Sequence, residues 1–233
     1  MNPVHIFLRA GFAALAVSSF AAYAAPPRQV TLEYEMSRNG TVMVAVSETL
    51  QHDGKSYHIA SEGRGVGIFA LAKRSAVSRS SEGTIGARGL RPSEFHDRRG
   101  DDLATAKFDW TKLALTEERG GRSETKPLSE GMHDRLSFLW NAAFFPPKGR
   151  RIDAVIADGR GTAEFRYAVA GTETLKTPAG EIEALHLVKQ KDAGDERGTE
   201  IWLAAKRHYL PVRILVVEKD GTRIDQVVTR IVE

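Results

Sequence analysis

Asn39-Gly40 is the feature that most limits what this chain can fold into. Both residues accept the positive backbone angles of a two-residue hairpin turn, and both flanks are β-like. Residues 30–36 are rich in β-type side chains. Residues 41–50 alternate, with Val42, Val44 and Val46 on one face and Thr41, Ser47 and Thr49 on the other. Asp53-Gly54 repeats the hairpin signal, and residues 55–61 continue with Tyr57 and Ile59 on one face. Three antiparallel strands joined by short turns, a meander, are predicted.

The same rhythm runs along the rest of the chain. Gly100-Asp101-Asp102, Gly120-Gly121, Pro178-Ala179-Gly180 and Asp220-Gly221 are further turns. Strands are predicted over 74–81, from Thr84-Ile85, and over 106–110 and 113–118. After residue 150 they are predicted over 152–156, 162–169, 172–177, 181–190, 200–204, 211–219 and 223–232. Gly63, Gly65 and Gly67 alternate, but no Lys-Ser pair follows and no βαβ unit surrounds them. A bulged connection explains them better than a phosphate loop.

One stretch has helical spacing. After Asp134, a good N-cap type, Leu136, Leu139, Trp140, Ala143 and Phe144 form one stripe, and Pro146-Pro147 ends it. Phe138 and Phe145 lie off the stripe, so the helix is apolar over more than one face. Such a helix packs into a curved sheet and not merely onto one. The fold class predicted is mainly β with one principal helix: a large curled antiparallel sheet, open or half-barrel, wrapped around that helix. Two domains or a fully closed barrel are the alternatives.

The N-terminus reads as an export signal. Arg9 precedes an apolar stretch from residue 10 to about 22, and Ala22-Tyr23-Ala24 offers small residues where a signal peptidase cuts. Cleavage near Ala24 makes 1–24 the signal peptide and 25–233 a single exported β-rich domain in the periplasm. The stretch is short for a membrane anchor, and no later segment is long and apolar enough to span. With no cysteine in the chain, a lipidated cysteine and any disulfide are excluded, so the core alone must hold the fold.

Charge and motifs exclude more than they assign. The 33 Lys+Arg nearly balance the 30 Asp+Glu, a formal charge of +3, without the clustered cations of a nucleic-acid binder. His52, His58, His96, His133, His186 and His208 fall in no metal-ligand spacing, and surface or turn positions are expected for them. No Gly-x-Ser-x-Gly elbow exists. The acid pairs Asp101-Asp102 and Glu117-Glu118 fall at turns or strand ends, where solvation accounts for them. No cofactor, metal or catalytic residue is predicted. Trp110, Trp140 and Trp202, with Phe144, Phe165 and Tyr167, sit in alternating or helically spaced runs. Core packing explains them; the alternative is that they line a cavity left inside the curled sheet.

Taken in order, "GLRPSEF" at 89–95, "KFDW" at 107–110, "HDRLSFLW" at 133–140, "TPAGEIEALHLVK" at 177–189 and "EIWLAAKRHYLPVRI" at 200–214 resemble an exported bacterial family catalogued as domain of unknown function 3108. The resemblance covers the chain from about Val30 to its end and brings no catalytic residues. Ala205-Lys206 departs from the turn residues expected after the Trp202 strand. More distantly, the "WLA…YLPVRI" module resembles the periplasmic lipoprotein carriers. That resemblance implies a half-barrel plugged by helices with an apolar concave face; fold alone does not assign function.

The function expected is therefore non-enzymatic binding of an apolar ligand, a lipid or lipoprotein acyl chain, or of another envelope component. The candidate lining is Trp110, Trp140, Phe144, Phe165, Tyr167 and Trp202. A ligand-free assembly factor that meets an envelope protein partner is the alternative, and an envelope hydrolase a third.

Overall fold

A computed structural model describes residues 25–71, 77–191, 194 and 196–233. The export signal expected at 1–24, and the start of the strand expected from residue 74, lie outside the described residues. Eight strands precede the helix region in sequence: β1 (Gln29–Arg38), β2 (Thr41–His52), β3 (Ser56–Gly65), β4 (Val77–Gly86), β5 (Gly89–Arg99), β6 (Asp102–Asp109), β7 (Ala114–Arg119) and β8 (Arg122–Pro127). The short β9 (Met132–His133) leads into the helix α1 (Arg135–Asn141). Six strands follow: β10 (Arg151–Ala157), β11 (Thr162–Thr177), β12 (Gly180–Lys189), β13 (Gly198–Ala204), β14 (Leu210–Val217) and β15 (Arg223–Val232).

All fifteen strands join one sheet, in the order β8-β7-β6-β5-β4-β3-β2-β1-β15-β14-β13-β12-β11-β10-β9. The β9–β10 pair is parallel and the others are antiparallel. The first and last strands lie side by side, so the chain builds two wings of sequential hairpins outward from a central seam. This is the arrangement that the local turn signals dictate. Asn39-Gly40 makes its hairpin with both residues at positive φ (49° and 83°). The protein is thus mainly β, with one α-helix among the described residues and a large unclosed antiparallel sheet.

The sheet cannot lie flat. Fifteen strands at the usual spacing span roughly 65 Å. Yet β8 and β9, its two ends, are joined only by residues 128–131, which reach no more than about 18 Å. Side chains bridge the wings where no ladder does. At the β10–β11 turn, Arg160 donates from Nε to Asp97 Oδ2 (2.9 Å) on β5 and from Nη1 to Asp102 Oδ2 (2.6 Å) on β6. Beside it, Gly159 N and Thr162 Oγ1 donate to Glu117 of β7, each at 3.1 Å.

Thr84-Ile85 does not start a strand of its own but ends β4, and two further strands are irregular. Residues 162–169 and 172–177 are one continuous strand, β11, bent by a bulge between Val169 and Gly171, where Gly171 takes φ 137°. A bulge re-aims a strand without ending it. Pro92 lies inside β5, at a bulge opposite Gly83. Proline there needs no ladder donor, and Gly83 leaves the room: a Cβ on it would come within 2.2 Å of the Arg91 carbonyl oxygen.

The helix starts where expected. Asp134 caps it, with Oδ1 accepting from Leu136 N (2.8 Å) and Ser137 N (2.9 Å), while Ser137 Oγ accepts from Asp134 N in a capping box. It is shorter than the apolar stripe suggests. After Asn141 the chain continues in turns, Ala143 N to Trp140 O and Phe145 N to Asn141 O, before Pro146. The short helix divides the interior. Leu136, Trp140 and Ala143 join a large cluster with Tyr34, Leu50, Ile59 and Phe95. Phe138 and Ala142 face a smaller cluster of Tyr167, Leu187, Ile201 and Leu203. Helix α1 touches β4 and β5 in one wing and β10 and β14 in the other.

Candidate functional site

The helix region begins with a buried acid. Asp134 is fully buried, and Ser81 Oγ on β4 donates to its Oδ2 at 2.6 Å. Burial outweighs these hydrogen bonds and pushes the carboxyl up to about 6. A carboxyl raised above its ordinary value near 3.8 stabilises the fold most below that value, and the contribution is lost as pH rises towards about 6. Asp134→Asn keeps the cap acceptor and removes the ionisation. Urea unfolding at successive pH values is therefore expected to show the variant gaining on the native protein between pH about 4 and 6. A gap independent of pH over that range would mean that the native carboxyl titrates normally.

His133, next to this cap, departs from the surface or turn position expected of it. It is buried on β9, opposite Ile156 of β10, with its ring edge-on to Phe138. Burial pulls its pKa down to about 4, so the imidazole is neutral at physiological pH. Its Nδ1 is buried and has no hydrogen-bond partner among the described residues. A buried polar atom left unpaired costs about 1–3 kcal/mol; His52 Nδ1, Thr105 Oγ1, Arg135 Nε and Gln226 Nε2 are likewise buried without a partner among the described residues.

The same ring borders a cavity of about 320 Å³, within the range of about 300–1,000 Å³ typical of small-molecule sites. Its wall is built from three places. Phe138, Leu139, Ala142 and Phe145 come from α1 and the turn after it; Ile152 and Ala154 come from β10; Leu187, Ile201 and Leu203 come from β12 and β13. Arg88, Lys148, Arg151 and Asp153 complete the lining with charge. Of these, Arg88 is paired with Glu130 and Arg151 with Asp153 (2.7 Å). Lys148 lies over the Phe145 ring, 5.8 Å from its centroid.

None of the six aromatic residues singled out in the sequence lines this cavity. Trp140 is fully buried in the larger cluster and donates from Nε1 to Glu48 Oε2 at 3.1 Å. Phe144 packs against that cluster, edge-on to His52. Trp110, half-buried, donates to Pro92 O at 2.6 Å beneath the Arg91 guanidinium. Trp202 projects from the face of β13 opposite Ile201 and Leu203; it stacks on His186 at 4.4 Å and lies under the Arg213 guanidinium. Tyr167 stacks behind the lining Phe138 at 5.5 Å, and Phe165 stacks on Tyr167.

The sequence carried a signal for the lining that ring size concealed. Phe138 and Phe145, the two residues off the helical stripe, both line the cavity. The Lys206-Arg207-His208 cluster, by contrast, is the corner between β13 and β14. Lys206 pairs there with Glu183 at 2.8 Å, and His208 takes φ 50°. Among the described residues no three His, Asp or Glu side chains converge on a metal-sized site, and no helix is long and apolar enough to cross a membrane.

An unclosed antiparallel sheet with an apolar cavity beside its helix defines the class. The chain belongs to the family described as "protein of unknown function (DUF3108)", whose model matches residues 29–228. Among solved structures it is similar to the β-barrel-like protein of domain of unknown function DUF1849 from Brucella abortus. The two share 7% identity and a TM-score of 0.55, over 88% of this chain and 98% of that one, a likeness of fold alone. A protein provisionally described as a lipoprotein from Parabacteroides distasonis aligns with TM-score 0.40 and 8% identity, over 90% of this chain and 98% of that one. A protein provisionally described as exported, with a YmcC-like fold, from Bacteroides fragilis aligns with TM-score 0.36 and 9% identity, over 91% and 99%. No curated protein matches the chain.

Proposed function

We propose that this protein is a non-enzymatic binding protein of the bacterial periplasm that holds an apolar ligand between α1 and strands β10, β12 and β13. The observation that carries this is the cavity of about 320 Å³ with apolar side chains on three sides. Its exported location rests on the signal-like sequence of residues 1–24. In this proposal the sheet curls as a half-barrel around α1, which explains why one short helix reaches strands of both wings. The cavity is the part of the concave space that the helix leaves unfilled.

Strand addition by a protein partner fits less well. The end strand β8 carries Arg122, Glu124, Lys126 and Pro127, and edge charge and proline oppose pairing with another chain.

A fluorescent acyl chain such as dansyl-undecanoate tests the proposal by titration. Saturable one-to-one binding by the native protein is expected. Ala154→Phe places a ring in the cavity from a strand position that suits aromatic residues; it is expected to weaken binding at least tenfold while circular dichroism and the melting temperature stay native-like. No saturable binding, or equal binding by a folded Ala154→Phe variant, would overturn the proposal.

A further inference from the structure

The cavity holds a polar feature that a plain hydrocarbon leaves unanswered, Lys148. Of the three cations in the lining, Arg88 and Arg151 each have a carboxylate neighbour. Lys148 has none among the described residues; its ammonium lies over Phe145, itself part of the cavity wall. A ligand that carries an anionic group supplies the partner that Lys148 lacks; a hydrocarbon does not.

Size narrows the class further. A volume of about 320 Å³ lies near the bottom of the range of about 300–1,000 Å³ for small-molecule sites. That suits one alkyl chain better than the paired or triple chains of a whole membrane lipid or lipoprotein anchor. Asp153 on the rim is already engaged by Arg151, so it does not cancel Lys148.

We infer, on the basis of the apolar-ligand proposal above, that the cavity takes a single-chain acidic amphiphile, its chain against Phe138, Leu187, Ile201 and Leu203 and its anionic head at Lys148. The head is a carboxylate or a phosphate, since either meets an ammonium in the same way.

Calorimetric titration of the full chain with dodecanoate, dodecyl phosphate and dodecanol separates the possibilities. Lys148 is exposed, so its ion pair lies at the modest end of the scale. At least one acid is expected to bind about fivefold more tightly than the alcohol, with the advantage shrinking as salt rises. The tighter acid names the head. Lys148→Gln, at an exposed position, is expected to erase the advantage, bringing both acids to the affinity that the same variant shows for dodecanol. Equal binding of all three amphiphiles would overturn this inference while the apolar-ligand proposal stands. An acid preference that survives in Lys148→Gln would overturn the role of Lys148. Binding by none of the three would overturn the proposal on which the inference rests.

Discussion

Trp140→Ala is expected to cost this protein about 4 kcal/mol of stability, the scale of truncating a large buried aromatic side chain. Trp140 has no exposed surface and sits where α1 meets the larger core cluster. Two separate losses combine. The ring's apolar area and packing contacts disappear, leaving a cavity that flanking strands, fixed by their ladders, fill only in part. Glu48 also loses a donor. Its carboxylate is buried, accepts from Trp140 Nε1 and Ser61 Oγ (3.2 Å), and burial already raises its pKa. Trp140→Phe helps to separate the two effects, because it keeps much of the apolar ring and removes the donor. Its destabilisation is expected to grow as pH rises, since the ionised form of Glu48 is the one that needs the missing hydrogen bond. Adding Glu48→Gln to Trp140→Phe is expected to remove that pH dependence. Urea unfolding of the three variants at pH 5 and pH 8 checks the set. A Trp140→Ala loss under about 1 kcal/mol would show that the helix is not anchored through this ring.

The same residue shows what could be read from the sequence and what could not. Helical spacing from Asp134 placed Trp140 on the face that enters the main core, and the structure agrees. Hairpins were equally legible, because Asn39-Gly40 and Asp220-Gly221 encode turns through backbone preferences of adjacent residues. Distant pairings were not. Asp97, Asp102, Glu117 and Arg160 meet only because the sheet bends, and no periodicity links positions in β5, β6 and β7 to the β10–β11 turn. The cavity was obscured for another reason. Large rings draw attention, but they tend to fill space; a hollow is bordered by residues that stop short of filling it, here Ala142, Ala154, Ile201 and Leu203. A surface or turn position is expected for His133 because no metal-ligand spacing singles it out. Its burial follows from the parallel β9–β10 pairing, which two residues of sequence do not announce.

Gly159→Ala is expected to open the join between the two wings. Gly159 has φ 71° and lies so close to β6 that a Cβ would stand 2.6 Å from both the nitrogen and the oxygen of Thr105. Two penalties act together. A left-handed backbone costs a non-glycine residue roughly 1–2 kcal/mol, and the clash is with ladder backbone, which cannot rotate away as a side-chain tip can. Relief requires the turn to retreat, and retreat breaks the contacts that depend on its position. These are Gly159 N to Glu117, Arg160 to Asp97 and Asp102, and Arg135 to Asp158 at 2.5 Å. Asp97 is fully buried. Burial alone would raise its pKa, but Arg99, Arg79 and Arg160 together bring it below the ordinary value. A carboxylate held low in this way stabilises the fold above its ordinary pKa, and the contribution is lost as pH falls through the lowered value. With Arg160 withdrawn, Asp97 keeps two of its three arginines, so the variant is expected to fold. Its loss is expected to be about 3 kcal/mol, with the stability deficit narrowing in strong acid, where the native carboxylates also protonate. Amide exchange is expected to rise at Thr105 and Glu117 and along β10, where the two wings meet, and to stay native-like between β1 and β15. Uniform exchange across the whole sheet would mean that the wings unfold as one unit and that this polar join is not what holds them together.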